Sequence, residues 1–401
     1  MSTIMKKVHT SSRLEGIGEY YFSRKLREID DMNRAGASII NLGIGSPDLP
    51  PHPEVIRVLQ EESAKPNVHA YQSYKGSPVL RKAMADWYLT WYGVELDPDK
   101  EILPLIGSKE GIMHICMTYL DKGDHALVPD PGYPTYSSAV KLAGGSVTTY
   151  QLNKQGDWHP DLSDMHKRIS GIRENGQEVK LIFVNYPHMP TGQLPDRKRM
   201  EELVSFAREE GLFIVHDNPY SFILNDEPQS LLSINGAKDV VLELNSLSKS
   251  QNMAGWRIGM LCAAKERIEE VLRFKSNMDS GMFLPVQLAA AKALGLGKEW
   301  YEGVNSIYRR RRVEAFSLLD LLGCTYSKDQ VGMFVWAAIP EGMTDGYALS
   351  DEVLYKAHVF ITPGGIFGEA GNRFIRVSLC ASEEKFAESI RRIREKIPRS
   401  I

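Results

Sequence analysis

The chain has 401 residues, 43% of them hydrophobic and 25% charged, enough for two ordinary cores or one large core with an appended domain, which excludes a disordered chain and a small stapled scaffold. Its 48 basic and 51 acidic side chains balance to −3, which gives no global attraction to nucleic acid or a membrane surface and points to a small ligand. The four cysteines, Cys116, Cys262, Cys324 and Cys380, form no C-x-x-C pair, and no apolar run approaches the roughly 18 residues of a spanning helix, so the expectation is a cytoplasmic protein with reduced thiols, no metal cluster and no membrane span.

Helical periodicity over Glu19 to Ala35 leads to the apolar run Ile39 to Leu42 and a Gly/Pro break from Gly43 to Asp48, the pattern of an arm and an entry loop. From about 101 to 264, short apolar runs alternate with helical stretches: Ala126 to Val128, Leu181 to Asn185, Leu212 to His216, Val240 to Leu244 and Ile258 to Cys262. They predict an α/β class with a mostly parallel central sheet covered on both faces. One helix shows Ile112, Ile115, Cys116, Tyr119 and Leu120 on a single stripe, with Ser108 in the N-cap position and Lys122-Gly123 at its end. After about 285 comes an Arg-rich helix, whose run Arg309 to Arg312 reads as a solvated face. Strand-like pieces at Phe334 to Ile339, Val359 to Thr362 and Phe374 to Leu379 then complete a smaller α+β domain. The expected division is an arm at 1–45 joining the small domain, a large ligand-binding domain at 46–285 and a small domain at 286–401.

Ligands of open α/β sheets bind beyond the carboxyl ends of strands, so the junctions there are the places to search. Gly107-Ser108-Lys109 opens a helix and offers backbone N–H groups to an anion, although any helix start looks similar. Asp217 closes an apolar strand and needs a cationic or hydrogen-bonding partner to stay ionised; taken alone, such a residue is more often a turn or capping aspartate. Lys249 stands just past another strand among Ser246, Ser248 and Ser250, with Arg257 eight residues on. Desolvation and nearby cations lower an ammonium pKa and make the amine nucleophilic enough for Schiff-base chemistry, while the hydroxyls and Arg257 suit a phosphate.

With these junctions in view the chain resembles the class I/II aminotransferases, fold-type I enzymes that use pyridoxal 5'-phosphate. The resemblance rests on Ser-Leu-Ser-Lys at 246–249, Gly-Trp-Arg at 255–257, His-Asp-Asn-Pro-Tyr at 216–220, Pro-Thr-Gly at 190–192, Thr-Pro-Gly-Gly at 362–365 and Arg-Val-Ser-Leu at 376–379. It implies that Lys249 carries the cofactor as an imine, that Asp217 keeps the pyridine nitrogen protonated and that Tyr220 donates to the ring's phenolic oxygen. It further implies that Ser108, Lys109, Ser246 and Arg257 hold the phosphate, that Tyr71 reaches it from the other subunit of a homodimer, and that Tyr133 stacks on the ring. Arg376 would clamp the substrate α-carboxylate as a fork, helped by backbone near Gly45. The implied reaction is ping-pong transfer of an α-amino group to 2-oxoglutarate or pyruvate, with Lys249 as the base at Cα.

The family usually has Asn before Pro-Thr-Gly, and here Met189 stands there. Met189 cannot donate to the phenolic oxygen, so the lysine–cofactor imine is expected to titrate at a higher pH than is usual. Asn185, four residues earlier, is either a compensating donor or a packing residue. Several motifs, among them Asp279-Ser280-Gly281, look most like the LL-diaminopimelate aminotransferases, and others equally like the alanine (glutamate-pyruvate) enzymes. Tyr74 and Lys75 stand where a diaminopimelate enzyme is expected to have a glutamate for the distal ammonium. A β-eliminating C–S lyase on the same fold is the alternative reaction, and a non-catalytic cofactor-binding regulator is a third.

Overall fold

The computed structural model describes residues 8–152 and 158–397; the outermost ends of the first and last expected domains lie outside these. From the N-terminus the helix Tyr21–Arg34 leads into β1 (Ile40–Asn41). There follow β2 (Ile102–Leu105), β3 (Asp124–Asp130), β4 (Ser146–Gln151), β5 (Glu178–Asn185), β6 (Phe213–Asp217), β7 (Val241–Ser246) and β8 (Gly259–Cys262). The last strands are β9 (Phe334–Ala338), β10 (Val359–Phe360), β11 (Thr362–Pro363) and β12 (Phe374–Ser378).

Strands β2 to β8 form one sheet in the order β2-β8-β7-β6-β5-β3-β4. Apolar residues face both ways along its middle strands. On β5, Leu181 and Phe183 join Leu103, Val215 and Leu244 on one side, while Ile182 and Val184 join Leu127, Ile214 and Val241 on the other. Burial on both faces is the reason these strands read as continuous apolar runs. The sheet is mostly parallel, as the sequence indicates, and β8 is reversed, pairing antiparallel with both β2 and β7. Because β8 runs backwards, its first residues sit at the edge where β7 ends, which brings Arg257 beside Ser246 and Lys249.

The helix Ser108–Tyr119 differs at both ends from the sequence expectation. Gly107, with φ 87°, is its N-cap; Ser108 is the first helical residue, and no side chain caps the end. The positive φ favours glycine here, and a Cβ at Gly107 would displace the Arg257 guanidinium from its place at the helix start. The other end comes at Leu120, whose N–H bonds Cys116 O, before Lys122-Gly123 is reached.

A third apolar cluster joins the arm to the C-terminal elements: Phe22, Ile29 and Leu42 pack with Tyr308, Leu318, Val335, Leu354 and Val377. β1 pairs in parallel with β10, and Lys25 of the arm helix lies 3.4 Å from Asp351. The expectation of a solvated face at Arg309 to Arg312 fails at Arg311. In the helix Lys298–Leu321 that residue falls on the buried stripe with Val304, Tyr308, Ala315 and Leu318. Its guanidinium forks onto both oxygens of Asp48 at 2.7 and 2.9 Å and also donates to Leu379 O.

Candidate active site

Beyond the carboxyl ends of β5, β6 and β7 opens a cavity of about 620 Å³, bounded on its far side by Tyr20, Phe22 and Ile44 of the arm and Phe334, Phe367 and Arg376 of the C-terminal part. Of the residues singled out from sequence, Gly45, Ser108, Lys109, Tyr133, Asn185, Asp217, Tyr220, Ser246, Lys249, Arg257 and Arg376 all line it. Tyr71 does not; its side chain is 93% exposed, on a stretch tied down through the Gln72–Gly281 bridge.

Lys249 follows β7 in a single helical turn, Leu247–Ser250, and its Nζ donates to Gly45 O at 2.6 Å. Burial lowers its pKa, and Arg376 and Arg257 lower it further. Ser246 Oγ accepts from Ser248 N and lies 2.9 Å from Ser248 Oγ. Arg257 holds a left-handed backbone conformation, φ 58°, and anchors one nitrogen on Ala254 O at 2.8 Å. Its other terminal nitrogen reaches Ile106 O at the mouth of the helix Ser108–Tyr119. Lys109 is exposed, with Nζ 5.3 Å from the centre of the Tyr20 ring, so its contribution at the helix start is through the backbone.

Asp217 ends β6 and is 5% exposed. Its Oδ2 accepts from Tyr136 OH at 2.8 Å, whereas Oδ1 is buried without a partner. Burial pushes the carboxyl up to about 6, against the lowering effects of Tyr136, His216 and Lys249. Asn185 has both ends of its amide on backbone: Nδ2 donates to Asp217 O at 2.6 Å and Oδ1 accepts from Met189 N at 2.7 Å. It thereby sets the spacing between the ends of β5 and β6. Tyr133 and Tyr136 meet edge to face at 5.5 Å, and Tyr136 stacks on Phe183. Burial raises the pKa of Tyr220.

Arg376, on β12, is 4% exposed and donates to Gly43 O at 2.8 Å. Its Nη1 lies 3.3 Å from Met189 Sδ, its Nε has no partner, and Phe22, Phe334 and Phe367 surround the guanidinium. Burial among these rings lowers its pKa to about 10.

The residues fit the cofactor that the resemblance implies. Asp217 Oδ1 is an acceptor in search of a cationic donor, as a protonated ring nitrogen would be. The helix start at Gly107 lacks a side-chain cap, beside Ser246 and Arg257, and so suits a phosphate. Sequence reasoning missed Tyr136, the partner of Asp217, and the aromatic wall of Phe22, Phe334 and Phe367. Tyr136 had a signal: it lies three residues past Tyr133 on the helix Pro134–Leu142, hence on the same face.

A family profile described as "Aminotransferase class I and II" matches residues 37–393. The chain is 41% identical to LL-diaminopimelate aminotransferase of Moorella thermoacetica, over 95% of this chain and 97% of that one. It is 39% identical to the enzyme of the same name from Dehalococcoides mccartyi, over 96% and 97%. The substrate-bound structure of BacF from Bacillus subtilis superposes with a TM-score of 0.90 at 34% identity, covering 97% of this chain and 98% of that one.

Proposed function

The chain belongs to the class I and II aminotransferases, enzymes dependent on pyridoxal 5'-phosphate, and on that premise we propose how its own residues move an amino group from an amino acid to a 2-oxo acid. When bound, the cofactor supplies a carbonyl that exchanges amines and a ring that withdraws electrons from the substrate Cα. Asp217 holds a proton on the ring nitrogen through Oδ1, and Tyr136 fixes that carboxylate in place. Ser108, Lys109, Ser246 and Arg257 hold the phosphate, Tyr133 covers the ring face and Tyr220 donates to the ring oxygen. Arg376 forks onto the substrate carboxylate beside Gly45. Lys249, whose pKa burial lowers, would serve as the base for the substrate Cα proton once the incoming amine has freed it.

The observation that carries this reading is the unpartnered, buried Asp217 Oδ1 in the same cavity as Lys249 and Arg376. The relatives are named for amino-group transfer, which favours that reaction over β-elimination. The acceptor is 2-oxoglutarate or pyruvate. The division into an arm at 1–45, a cofactor domain at 46–285 and a small domain at 286–401 is supported by the pairing of β1 on β10. We further read the protein as a cytoplasmic homodimer with shared sites. The exposed ring of Tyr71 supports the sharing, and among the described residues no helix is long and apolar enough to cross a membrane. Lys249→Ala is the test: the variant is expected to bind the cofactor without the lysine-linked absorbance and to lose turnover for every donor, and full activity in it would refute the assignment.

A further inference from the structure

Resting on that reading of Lys249 and Arg376, we propose that one of the two substrate pairs of this enzyme carries an apolar, ring-bearing side chain. Among the described residues the charges lining the cavity are Lys109, Asp217, Lys249, Arg257 and Arg376. Each is already committed, to phosphate, ring nitrogen, amine or α-carboxylate. No acid remains to answer an ammonium at the far end of a substrate, since Asp217 is the sole carboxylate in the lining.

What surrounds the carboxylate clamp is aromatic. The Arg376 guanidinium carbon lies 3.9 Å from the centre of the Phe334 ring, 4.7 Å from that of Phe367 and 5.7 Å from that of Phe22. Leu26 and Ile44 line the same cavity. Met189 presents a thioether at 3.3 Å from the clamp, another soft, polarizable surface. An amino acid held by its carboxylate at Arg376 and by its amine at Lys249 lays its side chain against these groups. A ring there stacks and desolvates favourably; a distal ammonium would lose its water with no partner in return. The loop at 71–76, which we read as reaching the neighbouring subunit, brings Tyr71, Tyr74 and Lys75 and no acid, so the second chain's copy of it supplies no counter-charge for a distal ammonium either.

The test uses the holoenzyme. Conversion of the cofactor by donor alone is followed by absorbance with L-phenylalanine, L-leucine, L-alanine and LL-diaminopimelate. Phenylalanine is expected to exceed alanine in kcat/KM by roughly 10- to 100-fold, with diaminopimelate the poorest. Phe22→Ala should narrow the phenylalanine-to-alanine ratio. Independently of turnover, 3-phenylpropanoate should bind more tightly than propanoate or glutarate by calorimetry, and should lose that advantage in the Phe22 variant. Fast conversion by diaminopimelate with slow conversion by phenylalanine overturns the proposal and leaves amino transfer standing. Should no amino acid convert the cofactor, the reading of Lys249 fails instead, and the binding series alone decides the side-chain preference: equal affinity for the three acids overturns it.

Discussion

His216 Nδ1 and Glu243 Oε2 stand 2.7 Å apart on paired positions of the parallel strands β6 and β7, both fully buried, one residue before Asp217. The Glu243 carboxylate also accepts from Tyr88 OH, Ser230 OH and Leu231 N–H, while His216 Nε2 lies 3.1 Å from Tyr186 O. Four hydrogen-bond partners on one carboxyl group, and an oxygen facing each imidazole nitrogen, make a buried and fully satisfied network. It nails β6 to β7 just under the cavity floor.

Removing a Glu243 carboxyl oxygen strands buried partners that water cannot reach. Glu243→Gln is therefore expected to lower unfolding stability by about 3–5 kcal/mol in urea titrations. Tyr88→Phe, which deletes one donor of four, should cost about 1–2 kcal/mol. Equal losses in the two variants would contradict the network description.

Asp217 predicts a pH dependence of the cofactor-free protein. Burial holds its carboxyl at about 6, against about 4 in an unfolded chain. The fold thus favours the protonated form, so the penalty for ionisation begins as pH rises past 4 and is complete above 6, where it reaches about 3 kcal/mol. Asp217→Asn should raise the urea midpoint of the cofactor-free protein at pH 8 and leave it unchanged at pH 4. The same variant should bind cofactor more weakly, because the ring nitrogen loses its counter-charge. A stability difference independent of pH would exclude this account.

Met189 occupies the position of the family's usual asparagine, and the Asn185 amide is spent on backbone, so it does not stand in for the missing donor. Met189→Asn is expected to lower the pH at which the absorbance of the lysine-bound cofactor changes. An unmoved transition in a spectroscopic titration would sink the idea.

Arg376→Lys keeps the charge and loses the fork. The substitution should reduce kcat/KM about 10- to 100-fold for every amino donor. A loss confined to donors with one kind of side chain would place the residue in side-chain recognition instead.

The middle of the sheet was legible because β5, β6 and β7 are buried on both faces and therefore write continuous apolar runs. The edge strands were not. β2 contains Pro104, tolerated at an edge, and β4, Ser-Val-Thr-Thr-Tyr-Gln, is mostly polar and buries only Tyr150 fully. Reversal of β8 leaves no mark, since Gly-Met-Leu-Cys buries equally well in either direction. Single junction residues such as Lys249 and Asp217 were visible through their place after a strand. Tyr136 on Asp217 and the rings around Arg376 were not, because the first contact joins residues 81 apart, the second gathers Phe22, Phe334 and Phe367 from three separate elements, and no periodicity reports either.

The short stretch after β1 has a bearing on how the protein can be trimmed or tagged. Gly43 O receives Arg376, Gly45 O receives Lys249 and Asp48 receives Arg311, so three cations hang from six consecutive residues. That stretch is in turn moored by the helix Tyr21–Arg34, through Phe22 and Ile29 in the core. Deleting the leading residues up to Arg34 would leave the seven-stranded sheet covered but strip Phe22 and Ile29 from the C-terminal cluster, so the stretch that holds the three basic side chains would lose its mooring. Fusion partners accordingly belong at the opposite terminus.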